Sequence, residues 1–296
     1  MVDAVRIIAV GQRLLSHAPI VKKAKQTKVP YIVSLYGVDA SEALKRKDAV
    51  KEYQALFADA EKVIVLSDVV TRRLTDFGVN KNRVVVWNLP LDLSEYPLVN
   101  NQSKPRELTF LMTARFVEKK GHEYVLEAFA KFLVKNQSAR LILNGYGPEA
   151  WLRERIHQLK LANACKVINN NQGQNFDRDH FELIKNSHIY LQPSVIAKNG
   201  DDEGGPALSM VAAQSAGLPV ICTRFPGAEI TMKDQETGYY CLPNNADDLF
   251  AKMQLLSLSP EKWATMGQLG SRLVHENFSL AIQTKRLNDI YLGCLS

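Results

Sequence analysis

Short apolar runs rich in β-branched residues alternate with helix-like segments along most of the chain. The strands predicted from these runs are residues 5–10, 30–35, 62–66, 83–87, 108–113, 140–144, 166–168, 189–192 and 220–223. The helices predicted between and after them are residues 20–28, 40–58, 69–77, 122–134, 149–159, 179–185, 207–216 and most of the chain from 246, including 279–292. Because strands joined by crossover helices form parallel sheets covered by helices, the alternation predicts an α/β protein.

The stretch 199–223 reads NGDDEGGPALSMVAAQSAGLPVICT and combines an acidic loop with a glycine-rich helix start. Pro206 is predicted at the first helical position, and the helix is expected to span roughly residues 207–216. Gly217 lies just past its end. The unpaired N–H groups of such a helix start, together with the helix dipole, favour phosphate. The stretch therefore predicts an anion site at the start of this helix.

Three residues before this helix point to a ligand. Gly204 and Gly205 let a ligand approach the backbone closely. Glu203 stands at the entrance, where its carboxylate can accept hydrogen bonds from sugar hydroxyls. The alternative is that Glu203 only caps the helix and that the glycines only form a turn.

A second stretch, residues 108–129, places two cations on the loop after a predicted buried strand. Arg115 and Lys120 are followed by Gly121 at the start of an amphipathic helix. An open α/β sheet binds anionic ligands at loops in this position. The alternative is that both cations are solvated surface charges, as most Arg and Lys side chains are. Taken together, the two stretches predict the two halves of one diphosphate site.

Several short motifs follow one another between residues 115 and 220. They are Arg115 with Lys120-Gly121, Gly145-Tyr146-Gly147-Pro148, Pro193-Ser194, Glu203-Gly204-Gly205-Pro206 and Ala216-Gly217-Leu218-Pro219-Val220. In this order they resemble the family 4 retaining glycosyltransferases, which have the GT-B fold of two Rossmann-like domains. The acidic lead-in GDDEGGP is similar to the group that builds bacterial exopolysaccharides such as colanic acid and amylovoran.

The resemblance implies transfer of a sugar, with retention of configuration, from a nucleotide diphosphate sugar to a glycan or lipid-linked acceptor. Arg115 and Lys120 would neutralise the charge on the leaving diphosphate, and Glu203 would hold hydroxyls of the donor sugar. The donor is expected to be UDP- or GDP-linked, with no separate cofactor. No metal is expected, because the protein supplies the cations and no Asp-x-Asp motif is placed to bind one.

The resemblance also implies which positions form the donor-binding site. They are Gly145, Gly147, Gly204, Gly205, Pro206 and Val211. Family members usually carry a second Glu eight residues after the first, where it holds the ribose hydroxyls, and Val211 occupies that position here. Losing a carboxylate contact of about 1.5–3 kcal/mol predicts a donor affinity that is lower by roughly tenfold to a hundredfold.

Three segments are predicted along the chain: a partial acceptor-side domain over residues 1–100, a nucleotide-sugar domain over 101–278, and a C-terminal helix over 279–296. Leu287 and Tyr291 of this helix are expected to pack back on the first domain. The polar run 100–105 contains a proline and marks the linker. Compared with the family, the first domain is short, which predicts either a fragment or a reduced variant whose acceptor side another component completes.

Two further positions resemble family active-site segments. Tyr36 stands where the family often has His. Glu229 lies in the loop predicted over residues 227–230, Gly-Ala-Glu-Ile, which resembles the family's Gly-x-x-E turn and would face the donor. His17 is the only histidine near Tyr36 in the sequence, and it is expected to be an ordinary surface residue.

The net charge of +6 is unevenly distributed. Residues 1–148 carry 23 Lys and Arg against 15 Asp and Glu, whereas residues 149–296 carry 14 against 16. A basic half favours an anionic partner, such as an acidic membrane surface or nucleic acid, although solvated helix faces are the plain alternative. Nucleic acid is not expected, because zinc-finger spacing and aromatic RNA-binding signatures are absent from the sequence.

Two features favour a cytoplasmic protein, with peripheral contact at the inner face of the membrane as a further option. No apolar run approaches the ~20 residues that a membrane span needs, and Arg6 interrupts the opening segment, which makes it a poor signal peptide. The four cysteines show neither metal-site spacing nor a disulfide framework, which suits a reducing compartment. The alternative to an active transferase is a truncated, catalytically weak or inactive nucleotide-sugar-binding protein.

Overall fold

The computed structural model describes residues 8–10, 18–46, 50–99, 105–170 and 176–294. Within these ranges the protein is α/β, with two parallel sheets, which confirms the predicted fold class. The predicted surface position of His17 and most of the predicted linker 100–105 lie outside the described residues. The boundary between the predicted domains at residue 100 therefore stays a prediction.

The first sheet has four parallel strands in the order β1-β2-β3-β4. These strands are β1 Ile8–Val10, β2 Tyr31–Ser34, β3 Lys62–Val65 and β4 Val84–Val86. The helices that accompany them are α1 Ala18–Thr27, α2 Val50–Phe57 and α3 Asp68–Asp76. We call residues 8–99 the first lobe. Its core lies between the sheet and the helices and includes Val33, Tyr53, Val63 and Leu74.

The long helix predicted over residues 40–58 is confirmed over Val50–Phe57 and wrong over residues 40–45. Residues 37–45 instead contain two short 3-10 segments, Gly37–Ala40 and Ala43–Lys45, and α2 begins at Val50. The side chains of this segment are engaged in tertiary contacts: the Tyr53 hydroxyl donates to the buried Asp39 carboxylate at 2.9 Å, and Ser41 donates to Asp201 in the other half of the chain at 2.8 Å. Contacts of this kind override a helical pattern that is read from sequence alone.

The second sheet has six parallel strands in the order β10-β9-β8-β5-β6-β7. These strands are β5 Thr109–Thr113, β6 Arg140–Gly145, β7 Cys165–Asn169, β8 Ile189–Gln192, β9 Val220–Cys222 and β10 Gly238–Tyr240. We call residues 105–278 the second lobe. The chain moves outward from β5 to β7, then returns to β8 and moves outward on the other side. The strand order therefore reverses between β5 and β8, and open α/β sheets bind ligands at such a point.

Helices cover both faces of the second sheet. They are α4 His122–Leu133, α5 Ala150–Gln158, α6 Phe176–Lys185, α7 Leu208–Ser215, α8 Ala228–Thr231, α9 Ala246–Ser257 and α10 Trp263–Phe278. Two features differ from the sequence prediction: β10 was not predicted, and residues 228–231 form a short helix instead of a loop. β10 reads Gly-Tyr-Tyr and lacks the β-branched residues that mark the equally short strands β4 and β9.

Helix α7 confirms the predicted element within one residue at each end. Its N-cap is Ala207, so Pro206 precedes the N-cap and the prediction of Pro206 at the first helical position is wrong. Gly217 follows the C-cap with φ of +87°, a left-handed conformation that favours glycine at helix ends.

The last helix, α11 Leu280–Leu292, packs on the first lobe. Leu287 and Tyr291, predicted to be core residues, are partly buried against a cluster that contains Ile32, Ile64 and Trp87. The Trp87 indole N–H donates to the Gln283 carbonyl at 3.0 Å. This helix therefore connects the end of the chain to the first sheet. Among the described residues, no helix has the length and apolar character needed to cross a bilayer.

Candidate active site

The partly buried Lys120 and the buried Glu203 form an ion pair where the loop after β5 meets the loop after β8. The Lys120 ammonium lies 2.5 Å from Glu203 Oε1, and the Ser194 hydroxyl donates to the same oxygen at 2.8 Å. Burial alone would raise the pKa of Glu203, but the charge and hydrogen bond of Lys120, together with Lys119 and Ser194, outweigh burial and lower the pKa below its ordinary value. Glu203 is therefore held as a carboxylate at neutral pH.

The two acidic residues before Glu203 are paired as well. The buried Lys119 ammonium lies 3.0 Å from the Asp201 carboxylate and donates to the Asp202 carbonyl at 2.7 Å. Arg73, on α3 of the first lobe, pairs with the Asp202 carboxylate. Each acid of the 201–203 stretch therefore has its own cation, and one of the three cations comes from the other lobe.

A cavity of about 290 Å³ opens beside the Lys120–Glu203 pair, and we call it the donor cavity. Its lining comes from both lobes. The predicted site residues in the lining are Arg115, Lys120, Gly145, Glu203, Gly204, Gly205 and Pro206. Tyr36 and Leu66 line the cavity from the first lobe. The structure thus brings the cations of one stretch to the glycine-rich helix start of the other, at the reversal of strand order between β5 and β8.

Gly204 and Gly205 also have a role in packing the two lobes together, which no sequence pattern indicates. A Cβ added at Gly205 would lie 2.2 Å from Leu66 Cβ, and one at Gly204 would lie 3.2 Å from Ala40 Cβ. Both neighbours belong to the first lobe, and the Ser67 hydroxyl donates to the Gly204 carbonyl at 3.3 Å. These glycines therefore allow the two lobes to pack closely, in addition to lining the donor cavity.

Val211 lies away from the donor cavity, which contradicts its predicted place in the donor-binding site. Its side chain is fully buried and packs with Leu93, Val274 and Phe278. A carboxylate at this position would be surrounded by apolar groups. Because α7 turns this side chain toward α10, it is not available to a ligand in the donor cavity.

Gly147 is the other predicted donor-binding position outside the donor-cavity lining. A Cβ added to it would lie in ordinary contact with Phe116, 3.7 Å from the Phe116 Cβ. Gly145, two residues earlier, does line the donor cavity, and a Cβ there would lie 1.9 Å from the Ala114 carbonyl oxygen. Gly145 therefore has to be a glycine, because β6 packs closely beside the loop after β5.

Several residues of the site were not assigned from the sequence. Ser209 lines the donor cavity and donates to the Thr113 carbonyl at 2.8 Å. Lys119 and Arg73 each belong to a pair of adjacent like charges, Lys119-Lys120 and Arg72-Arg73. Such pairs look like ordinary surface charge, so the sequence does not mark either residue as part of the site. Ser194 did carry a signal, since the Pro193-Ser194 motif was noted without a role for its hydroxyl.

A second cavity, of about 560 Å³, adjoins the donor cavity, and Glu203 lines both. It lies over the carboxyl ends of β8, β9 and β10 and is closed on the first-lobe side by α3. Arg224 stacks over the Tyr240 ring in this cavity at 3.8 Å from the ring centroid. Glu229, which was predicted to face the donor, lines this second cavity instead.

The cysteines take no part in either cavity lining. Cys165, Cys222, Cys241 and Cys294 are all free thiols. Burial raises the pKa of Cys165 and of Cys241 to about 12, so both are neutral thiols at physiological pH. Within the described ranges, no three His, Cys, Asp or Glu side chains lie close enough together to form a metal site.

Comparisons with known proteins agree with this geometry. Residues 99–272 match the family model described as "Glycosyl transferases group 1". The chain therefore belongs to this family of glycosyltransferases. The match covers almost all of the second lobe. It includes the loop that carries Arg115 and Lys120 and the loop that carries Glu203, and both loops line the donor cavity.

Two relatives are named for exopolysaccharide synthesis. WcaL of Escherichia coli K12, named as a colanic acid biosynthesis glycosyltransferase, is 24% identical over 257 residues, which is 86% of this chain and 62% of WcaL. AmsK of Erwinia amylovora, named as an amylovoran biosynthesis glycosyltransferase, is 24% identical over 260 residues, or 88% of this chain and 63% of AmsK. The chain spans less than two thirds of the length of these relatives.

A solved structure shows the same fold. Anabaena HepE, in complex with UDP and glucose, superposes with a TM-score of 0.82 at 15% identity, covering 96% of this chain and 78% of HepE. At this identity the likeness shows the fold alone. The structural neighbours are GT-B glycosyltransferases, so the two-sheet architecture is that of GT-B.

Proposed function

We propose that this protein transfers a hexosyl group, with retention of configuration, from a UDP- or GDP-linked sugar to a glycan or lipid-linked acceptor in bacterial surface polysaccharide synthesis. The observation that carries the proposal is the donor cavity, where Arg115, Lys120 and the helix start after Gly205 surround one small volume beside Glu203. A diphosphate carries the charge that two cations and free N–H groups complement.

In the proposed reaction, the bond between the anomeric carbon and the diphosphate oxygen breaks, and a bond from the acceptor oxygen to that carbon forms. The acceptor hydroxyl proton leaves with the diphosphate. Arg115 and Lys120 stabilise the charge that develops on the leaving group, and one well-placed group of this kind is typically worth about 10²–10³ in rate. Lys120 has three N–H donors, so it can hold Glu203 and a phosphate oxygen together.

Glu203 acts on the donor sugar in this proposal. Its carboxylate stays ionised because Lys120 lowers its pKa, and an ionised carboxylate only accepts hydrogen bonds. Sugar hydroxyls supply the donors that it needs. Ser194 and Lys120 fix the orientation of the carboxylate before substrate arrives, which reduces the entropy lost on binding.

The names of similar proteins support the substrate class. HepE is described in complex with UDP and glucose, and WcaL and AmsK are named for exopolysaccharide synthesis. We propose the same class of donor here. We also propose that the protein is cytoplasmic and contacts the anionic inner membrane surface through the exposed lysines of α1, which include Lys22, Lys23 and Lys25.

A second candidate is a nucleotide-sugar-binding protein with weak turnover or none. The Lys120–Glu203 ion pair favours it, because a cation that is already paired with a carboxylate neutralises less of the charge on a leaving diphosphate.

Calorimetric titration with UDP- and GDP-sugars, followed by an assay for donor hydrolysis and transfer, separates the two candidates. Binding with turnover supports the transferase, binding without turnover supports the second candidate, and no binding of any nucleotide sugar refutes both.

A further inference from the structure

The second cavity lies in the cleft between the lobes and shares Glu203 with the donor cavity. Lys120 reaches the Glu203 carboxylate from the donor-cavity lining, and Ser194 reaches it from the second-cavity lining. A transferase needs two substrates in contact, and two adjoining cavities separated by one carboxylate provide that arrangement. We propose that the second cavity binds the acceptor, and that the acceptor group held there is an uncharged sugar ring. This inference rests on the proposed function.

The lining of the second cavity combines apolar surface with charged groups at its edges. Phe225, Pro226 and Pro243 contribute apolar surface, and Ile196 is 65% exposed at the same cavity. Tyr240 lies under the Arg224 guanidinium. A sugar ring presents C–H groups on its faces and hydroxyls around its edge. Apolar side chains with a few placed polar groups are the usual lining of a ligand site and match both parts of such a ring.

The charges of the second cavity favour a neutral ligand. Arg73 is already paired with Asp202, and Glu203 with Lys120. Of the remaining ionisable lining residues, Arg72 and Arg224 carry positive charge, whereas Asp68 and Glu229 carry negative charge, so the four cancel. Asp234 lies a further 3.9 Å from Arg224 and opposes an anion there as well.

Sugar hydroxyls can use both signs of charge in this lining. A guanidinium only donates hydrogen bonds, and a carboxylate only accepts them, whereas a hydroxyl does both. A phosphate or a uronate would gain from Arg224 but would be repelled by Glu229 and Asp234. A neutral polyhydroxylated ring therefore fits the second cavity better than an anionic ligand does.

Both lobes contribute to the second cavity. Asp68, Val69, Arg72 and Arg73 all come from α3 of the first lobe, while the rest of the lining follows the ends of β8, β9 and β10. An acceptor bound here would touch α3 and Glu203 together. Its reacting hydroxyl would thereby be held next to the donor sugar.

The test compares the full chain with the variants Arg224→Ala and Glu229→Gln, and uses Arg286→Ala, an exposed arginine on α11, as the matched control. The probes are p-nitrophenyl glycosides of neutral hexoses and the corresponding p-nitrophenyl glucuronide. Donor hydrolysis without acceptor is measured first, with the nucleotide sugar that the wild-type protein binds. Transfer to each glycoside is then measured by mass spectrometry, and glycoside binding by saturation-transfer NMR.

We expect at least one neutral glycoside to bind and to be glycosylated. We expect Arg224→Ala and Glu229→Gln each to raise the KM for that glycoside at least tenfold, while the KM for the donor in hydrolysis stays within twofold of wild type. The inference is overturned if the acceptor KM is unchanged in both variants, if the glucuronide is preferred, or if no neutral glycoside binds to a protein that hydrolyses donor. Absence of donor binding in the wild-type protein would instead refute the proposed function.

Discussion

Arg73 of the first lobe holds the carboxylate of Asp202, the residue directly before Glu203 in the second lobe. The same guanidinium donates to the Ala40 carbonyl at 3.1 Å, so it is fixed within its own lobe as well. Ser41 and Lys45 add contacts from the first lobe to Asp201 and to the Gly200 carbonyl. The position of the Glu203 loop is therefore determined from both sides of the cleft.

We predict that Arg73→Gln lowers both stability and transfer. Removing one partner of a buried pair typically costs ~3–5 kcal/mol, and because the Arg73 side chain is 26% exposed we expect a smaller loss, about 2–3 kcal/mol. Transfer should fall at least tenfold, mainly in kcat, because the Glu203 loop loses its first-lobe contact. Chemical denaturation and steady-state kinetics measure the two effects, with the exposed neighbour Arg72→Gln as the stability control. Equal stability of the Arg73 and Arg72 variants would contradict the prediction.

We predict that Lys120→Ala and Arg115→Ala each reduce sugar transfer at least a hundredfold, since each removes a cation from the donor cavity. Single-turnover measurements at saturating donor report the chemical step separately from binding. Lys135→Ala, which removes an exposed lysine after α4, serves as the charge-matched control and should keep wild-type rates. Near-normal turnover in both donor-cavity variants would refute the roles assigned to Arg115 and Lys120.

The longer elements of the second lobe were predictable because each shows its own period. β5, β6 and α4 lie within one residue of the predicted positions, and the strand–helix alternation was sufficient to predict parallel sheets. The segment 37–45 was not predictable, because its conformation depends on contacts with Asp201 and Gly200, which are far away in sequence.

Some residues of the candidate site could also be predicted from the sequence, and others could not. The meeting of Lys120 with Glu203 followed from motif order, since both follow strands whose carboxyl ends meet at one edge of a sheet. The roles of Arg73 and Lys119 depend on how the lobes and loops pack, and no local pattern records that packing. Val211 was misplaced because motif spacing gives a position along α7 but does not say which neighbouring element covers that side of the helix.

We predict that Gly205→Ala weakens donor binding at least tenfold. The added Cβ would lie 2.2 Å from Leu66 Cβ, so the loop or the lobes must move apart. Gly204→Ala is a graded comparison, because its Cβ would lie 3.2 Å from Ala40 Cβ and should be tolerated better. The double variant Gly205→Ala/Leu66→Ala keeps the Leu66 Cβ, which is the clashing atom, so it should bind donor as weakly as Gly205→Ala. Calorimetric donor titration measures all three, and unchanged affinity in Gly205→Ala would show that this close contact is not required.

The buried His122, at the start of α4, is expected to make the free energy of unfolding depend on pH. Burial, with a smaller effect from the charge of Lys120, lowers its pKa from 6.5 to about 3. Neither ring nitrogen has a hydrogen-bond partner among the described residues. The folded protein therefore keeps His122 neutral at a pH where the unfolded chain binds a proton, so stability is complete above about pH 6.5 and falls as the pH drops from there toward 3.

Between pH 6.5 and pH 5 this histidine alone should remove about 2 kcal/mol from the free energy of unfolding, since each pH unit corresponds to about 1.4 kcal/mol per proton. We predict that His122→Phe flattens the pH dependence of urea unfolding by about that amount. His157→Gln, which replaces an exposed histidine on α5, is the matched control and should leave the slope as it is. Buried His180, whose pKa burial lowers to about 4, adds a similar slope that should persist in His122→Phe. A slope identical to wild type in His122→Phe would mean that the unfolding reaction does not protonate this side chain.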